Sequence, residues 1–160
     1  MRWEVELARA LMARQYNRAG FPHPTVNGAI VRQLARVIQL AGGGTFIDPV
    51  EAAYGLGLRV RRVDALPEPS VVSQDGITIS VVSDPEPGRE AIRIFLGLAM
   101  FALVRRCPGG FGPTDVCLVA LEAAVPSSAA RGLPAPALRK AQPHVPDWLI
   151  SVCSAQRVAG

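Results

Sequence analysis

The side chains that most often carry chemistry are few in this chain and far apart. Cysteines stand at 107, 117 and 153, and histidines at 23 and 144. A zinc site needs about four N, S or O ligands, usually in local pairs, and no CxxC pair is present. An odd cysteine count argues against a secreted disulfide framework. Cys117 and Cys153 sit in apolar runs and read as small buried hydrophobes. Cys107 precedes Pro108 and belongs to a loop. Glu51, Glu90 and Glu122 are isolated acids of the kind that solvate helix faces. Glu122 stands out for its apolar neighbours, and its expected role is structural. Ser127-Ser128, after Pro126, has the form of a helix cap and not of a nucleophile. Gly42-Gly43-Gly44-Thr45 lacks the lysine of a phosphate loop and reads as a linker.

The surrounding composition is that of a folded domain. Hydrophobic residues make up 49% and charged residues 19% of 160 positions, which is too apolar for disorder. The net charge is +4 and rests on arginine, Lys140 being the only lysine. The arginines are scattered, with short pairs at Arg61-Arg62 and Arg105-Arg106. They form no basic stripe with stacking aromatics, so the expectation is no nucleic-acid partner. Met1–Tyr16 mixes acids with arginines and has no continuous apolar stretch, unlike a signal peptide. The longest apolar run, Ile94–Val104, is far shorter than the roughly 20 residues a membrane span needs. The expectation is a cytoplasmic protein with no membrane contact.

Periodicity predicts the elements that must position these groups. Val5, Ala8, Leu11 and Met12 recur at helical spacing over Arg2–Asn17, with Arg9 and Arg14 on other faces. A second helix is expected from an N-cap at Thr25 to Ala41, with Ile30, Leu34, Val37, Ile38 and Ala41 inward. Asp48-Pro49 opens a short helix, with Glu51 placed as in a capping box. Strands are expected at Leu58–Val63, Ser70–Ser73 and Ile77–Val82, with Asp75-Gly76 as a hairpin turn. A helix from Arg89 to Arg106 is apolar all round at its centre, so it should run through the middle of the domain. Another apolar helix, capped by Thr114 or Asp115, ends near Val125-Pro126, and Ser127–Arg131 adds a turn. Pro134–Pro146 is irregular or short-helical. Pro146–Arg157 closes the chain, with Trp148, Leu149 and Val152 inward. The predicted fold class is α+β, a helical domain around a small antiparallel sheet of about three strands.

The order of these pieces, from Thr45 to Gln156, resembles the ImmA/IrrE-type zinc metallopeptidases. Phe46-Ile47-Asp48-Pro49-Val50-Glu51-Ala52-Ala53 followed by Gly55-Leu56-Gly57-Leu58-Arg59-Val60 is similar to the family's opening helix and strand. Asp75-Gly76-Ile77-Thr78-Ile79 resembles its hairpin, and Arg89-Glu90-Ala91-Ile92-Arg93-Ile94-Phe95-Leu96 the lead into its active-site helix. Ala120-Leu121-Glu122-Ala123-Ala124-Val125-Pro126 and His144-Val145-Pro146-Asp147-Trp148-Leu149 resemble the closing segments. The resemblance implies a zincin-like scaffold at 45–160, preceded by a helical extension at 1–44.

The family carries His-Glu-x-x-His on the central helix, where two histidines one turn apart share a zinc and the glutamate activates water. Alignment puts that motif at Gly97-Leu98-Ala99-Met100-Phe101. The ligand positions are therefore Gly97 and Phe101, and the general-base position is Leu98. The third, acidic ligand falls at Pro113 in the best register, with Asp115 close by as a remnant. The resemblance thus implies a peptidase scaffold without its catalytic residues, its metal or any cofactor. Family members often act on helix-turn-helix repressors in bacterial and phage switches, so it also implies a protein partner of that kind. Two other classes stay open: an enzyme rebuilt around Cys107, Asp115, Cys117 or His144, and a DNA-binding regulator using scattered arginines.

Overall fold

Three caps set the frame. The Asn27 side chain accepts from the Ile30 amide and starts a helix at Gly28–Gly42, which ends on Gly43 at φ 92°. Asp48 accepts from the Val50 amide at 2.9 Å and starts a second at Pro49–Gly55. Asp75 accepts from the Ile77 amide and from the Ser73 hydroxyl, and Gly76 at φ 73° completes the turn. That hydroxyl, followed by the Ile77 amide, holds the Asp75 carboxyl below its ordinary value.

The computed structural model describes residues 3–16 and 26–159. Eight helices and three strands lie among them. In chain order they are α1 (Trp3–Tyr16), α2 (Gly28–Gly42), α3 (Pro49–Gly55), β1 (Arg59–Val63), β2 (Ser70–Val72), β3 (Thr78–Val82), α4 (Pro87–Arg106), α5 (Pro113–Ala124), α6 (Ser127–Gly132), α7 (Ala135–Ala141) and α8 (Asp147–Ala159). The fold is α+β. None of the helices among the described residues is long and apolar enough to cross a membrane.

The sheet corrects one expectation: it is mixed and not antiparallel. Its order is β1-β3-β2, with β2 antiparallel and β1 parallel to β3. The Asp75-Gly76 turn folds β3 back on β2, as expected. The chain also reverses between β1 and β2, so β3 ends up running the same way as β1 and lies between the other two.

Helix α4 packs on one face of this sheet and is flanked by α5, α2 and α3. Ile92, Ile94, Phe95, Leu96, Leu98, Ala99 and Leu103 are buried around its circumference. One continuous apolar core runs from Leu7 and Leu34 through α4 and α5 to Leu149 and Cys153, so α1 and α2 share it with the later elements. The α2–α3 contact is close: a Cβ on Gly55 would lie 2.2 Å from the Ala41 carbonyl oxygen.

Several inward faces differ from the periodicity. In α8 the buried residues are Leu149, Ile150 and Cys153, whereas Trp148 and Val152 are exposed. In α1 the buried set is Leu7, Ala10 and Leu11, with Val5, Ala8 and Met12 exposed. Val37 of α2 is likewise exposed, and Val31 and Ala35 are buried instead. Each shift rotates the stripe by about one residue, or roughly 100°. Helix α2 begins too late for Thr25 to cap it, and Thr25 itself, like His23, lies outside the described residues.

Candidate functional site

Where the resemblance places chemistry, the side chains are packed apolar matter. Gly97 faces the sheet. A Cβ added there would stand 2.6 Å from Ile79 Cγ2 and 3.3 Å from the Ser70 hydroxyl. Leu98 is 0% exposed. Phe101, one turn beyond Gly97, is buried at the domain's edge, with the Arg105 guanidinium 4.4 Å from its ring centroid. Interior packing leaves little slack, so this face of α4 has no space for an imidazole or a bound ion.

Asp115 is buried at the start of α5, but both its oxygens are engaged. One accepts from the Val26 amide at 3.0 Å and the other from the Gly112 amide at 2.7 Å. The N-cap of α5 is Gly112, not Thr114 or Asp115, and Asp115 reaches back to it from the third helical position. Its carboxylate holds the chain entering α2 against α5, a joint between distant segments. Pro113 is the first residue of α5 and offers no donor.

Cys107, Asp115, Cys117 and His144 do not form one donor set. Among the described residues, no three His, Cys, Asp or Glu side chains are grouped to hold a metal ion. Cys117 and Cys153 are buried, and Cys107 is half-buried beyond the end of α4. Burial pushes the Cys117 thiol from an ordinary 9.0 up to about 12, with Glu6 of α1 adding to the rise. Burial also raises Cys153, where Arg14 opposes and Glu122 reinforces the shift.

These thiols predict a reactivity order and a pH effect. A disulfide reagent such as Ellman's should label Cys107 in the native protein and reach Cys117 and Cys153 only on unfolding. The unfolded chain releases the Cys117 proton near 9.0 and the folded chain only near 12. Below 9.0 this thiol leaves stability unaltered, and as the pH climbs from 9.0 toward 12 stability falls. Urea midpoints measured across that range check the window. A Cys117→Ala variant should show a flatter decline.

A cleft lies elsewhere, at the N-terminal end of α4. It measures about 480 Å³ and is lined by Asp48, Arg62, Glu90, Ile94, His144 and Asp147 among others. Its charges are already committed. Arg62 Nε donates to Glu90 at 2.6 Å, and Asp48 caps α3. Asp147 is 3.9 Å from Arg139. His144 is exposed on the cleft wall. Gly97, Leu98, Phe101 and Asp115 are not among its walls.

Sequence reasoning missed several buried polar side chains, Gln39 and Gln142 among them, and one buried ionic contact. Arg14, assigned to an outer face of α1, is 7% exposed and lies against α5 and the turn after it. Its Nη2 donates to the Val125 carbonyl and its Nη1 is 3.7 Å from Glu122 Oε2. Glu122 also accepts from the Ser127 amide and, at 2.6 Å, from the Ser127 hydroxyl. Glu122, an acid among apolar neighbours, was the visible half of this signal. Arg14 carried none, because helical spacing does not say which flank of an apolar stripe meets a buried carboxylate. The comparisons with known proteins add no relative to this geometry: no family model, curated protein or solved structure matches the chain.

Proposed function

We propose that this protein is a pseudo-metallopeptidase on an ImmA/IrrE-like scaffold that acts by binding a protein partner. The observation that carries the proposal is the packing at Gly97. The position aligned with the first zinc ligand points its missing side chain at Ile79, where a Cβ would already overlap. Leu98 and Phe101, aligned with the base and the second ligand, are apolar and buried, as a filled site requires. The order of elements supports the scaffold: a proline-started helix capped by Asp48, a strand, a hairpin, a central helix, and a helix ending before Pro126. The partner class comes from the resemblance alone, which points to a helix-turn-helix regulator of a bacterial or phage switch, met in the cytoplasm.

The test is to mix the purified chain with helix-turn-helix repressors in the presence of zinc, then follow size exclusion and mass. The expected result is a co-eluting complex with both chains intact. Cleavage of the repressor would contradict the loss of activity. Separate elution of intact chains would contradict the partner class.

A further inference from the structure

The outer side of the small sheet carries an arrangement that the reading above does not use. Side chains alternate across a strand. Ile79 and Val81 of β3 are buried, and Arg62 of β1 reaches Glu90 on α4, so their parity faces inward. Arg59, Arg61 and Val63 of β1 then share the outer face with Thr78, Ser80 and Val82. The register sets Arg59 against Thr78 and Arg61 against Ser80. Among the described helices, those in substantial contact with the sheet are α4, on the inner face, and α3, beside β1. Both arginines are exposed, and no described acid forms an ion pair with either. Asp75 feels the charge of Arg59 but is bonded to Ser73 and Ile77.

Among the described residues, β1 is an edge strand with no strand paired on its other side. The Arg59 amide donates to the Ile77 carbonyl at 2.7 Å, and the Val63 carbonyl accepts from the Ser83 amide at 2.9 Å. In a strand, the N–H and C=O of one residue point the same way, and alternate residues point oppositely. Arg59, Arg61 and Val63 therefore direct their backbone groups at β3. Val60 and Arg62 direct theirs away from the sheet, where no further strand pairs with them among the described residues.

Resting on the protein-binding reading above, we propose that β1 takes an acidic extended segment of the partner, added to the sheet as a fourth strand. The Val60 and Arg62 backbone supplies the main-chain pairing of strand addition. Outer-face side chains of an added strand stand about 5 Å from their opposites, and successive ones about 6.6 Å apart along it. A segment with a carboxylate at every second residue thus sets one acid beside Arg59 and the next beside Arg61. Nucleic acid fits this face less well, because among the described residues neither arginine makes a cation–π contact with an aromatic ring.

The probe is a fluorescent peptide of about a dozen residues alternating Glu and Thr, a length that spans more than β1, read by anisotropy against full-length protein. Binding should weaken at least tenfold in R59S/R61S and less than twofold in R32S/R36S, a control on the exposed face of α2. It should also vanish when the peptide amides facing β1 are N-methylated. Should the serine pair self-associate, the methylated peptide still reads the edge on wild-type protein. Equal losses in both variant pairs, unchanged binding of the methylated peptide, or tighter binding of random duplex DNA would overturn the proposal. A preparation that cleaves no repressor yet ignores the peptide overturns only this edge assignment, whereas cleavage overturns the reading on which it rests.

Discussion

Writing His-Glu-x-x-His into α4, as G97H/L98E/F101H, should abolish cooperative folding, and added zinc should not rescue it. The imidazole at 97 must displace Ile79, which a Cβ alone would meet at 2.6 Å. Overpacking of this kind costs about 1–3 kcal/mol or more. The glutamate replaces a side chain that is 0% exposed and removes its apolar contacts. An unpaired buried polar group costs on the order of 1–3 kcal/mol, and a charged one more. The histidine at 101 loses a buried ring and the Arg105 contact over it. Together these losses match the roughly 5–15 kcal/mol by which domains are stable. Circular dichroism melting with and without zinc reads the outcome. The single change L98E should lower the melting temperature most, and a triple variant that folds and binds zinc would show that this face of α4 has room for a metal site.

Glu122→Ala should be the most damaging single change away from α4, destabilising by about 3–5 kcal/mol, because it strands the buried Arg14 guanidinium without its counter-charge. Two further features deepen the loss. Arg14 Nε and Nη1 already lack hydrogen-bond partners, so Glu122 is the charge that compensates them. The Ser127 amide at the start of α6 loses its acceptor too. The pair R14M/E122Q should cost far less than either single removal, since a buried ion pair replaced as a unit is often near neutral. Urea unfolding of E122A, R14M and R14M/E122Q checks this, and equal losses in the single and double variants would contradict the coupling.

The comparison of these two regions shows what the sequence makes legible. Local chemistry was readable: Asp48 before proline, Asp75-Gly76 between β-rich runs, and an α4 centre apolar on every side are short-range signals with short-range causes. Gly97, Leu98 and Phe101 were readable as inward positions of α4 for the same reason, being a spacing within one helix. Pairing direction in the sheet was not, since it depends on two chain reversals and not on any strand's own pattern. The inward faces of α1 and α8 were misjudged because each helix carries apolar residues on more than one side. In α8, Trp148 advertises burial as strongly as Ile150, yet Ile150 is inside and Trp148 is exposed; Cys153 is buried, as expected. Asp115 looked like a ligand remnant from its residue type, and only its bonds to Val26 and Gly112, the first 89 positions away, reveal a joint.

The proposed pseudo-metallopeptidase has α4 filling, and not lining, the place where the resembled family holds its metal. The most direct test is the zinc content of full-length protein purified without chelator or histidine tag and then equilibrated with zinc. Zinc should stay far below one atom per chain, and the melting temperature should be unchanged by zinc. One tightly held zinc per chain, with a raised melting temperature, would contradict the proposal.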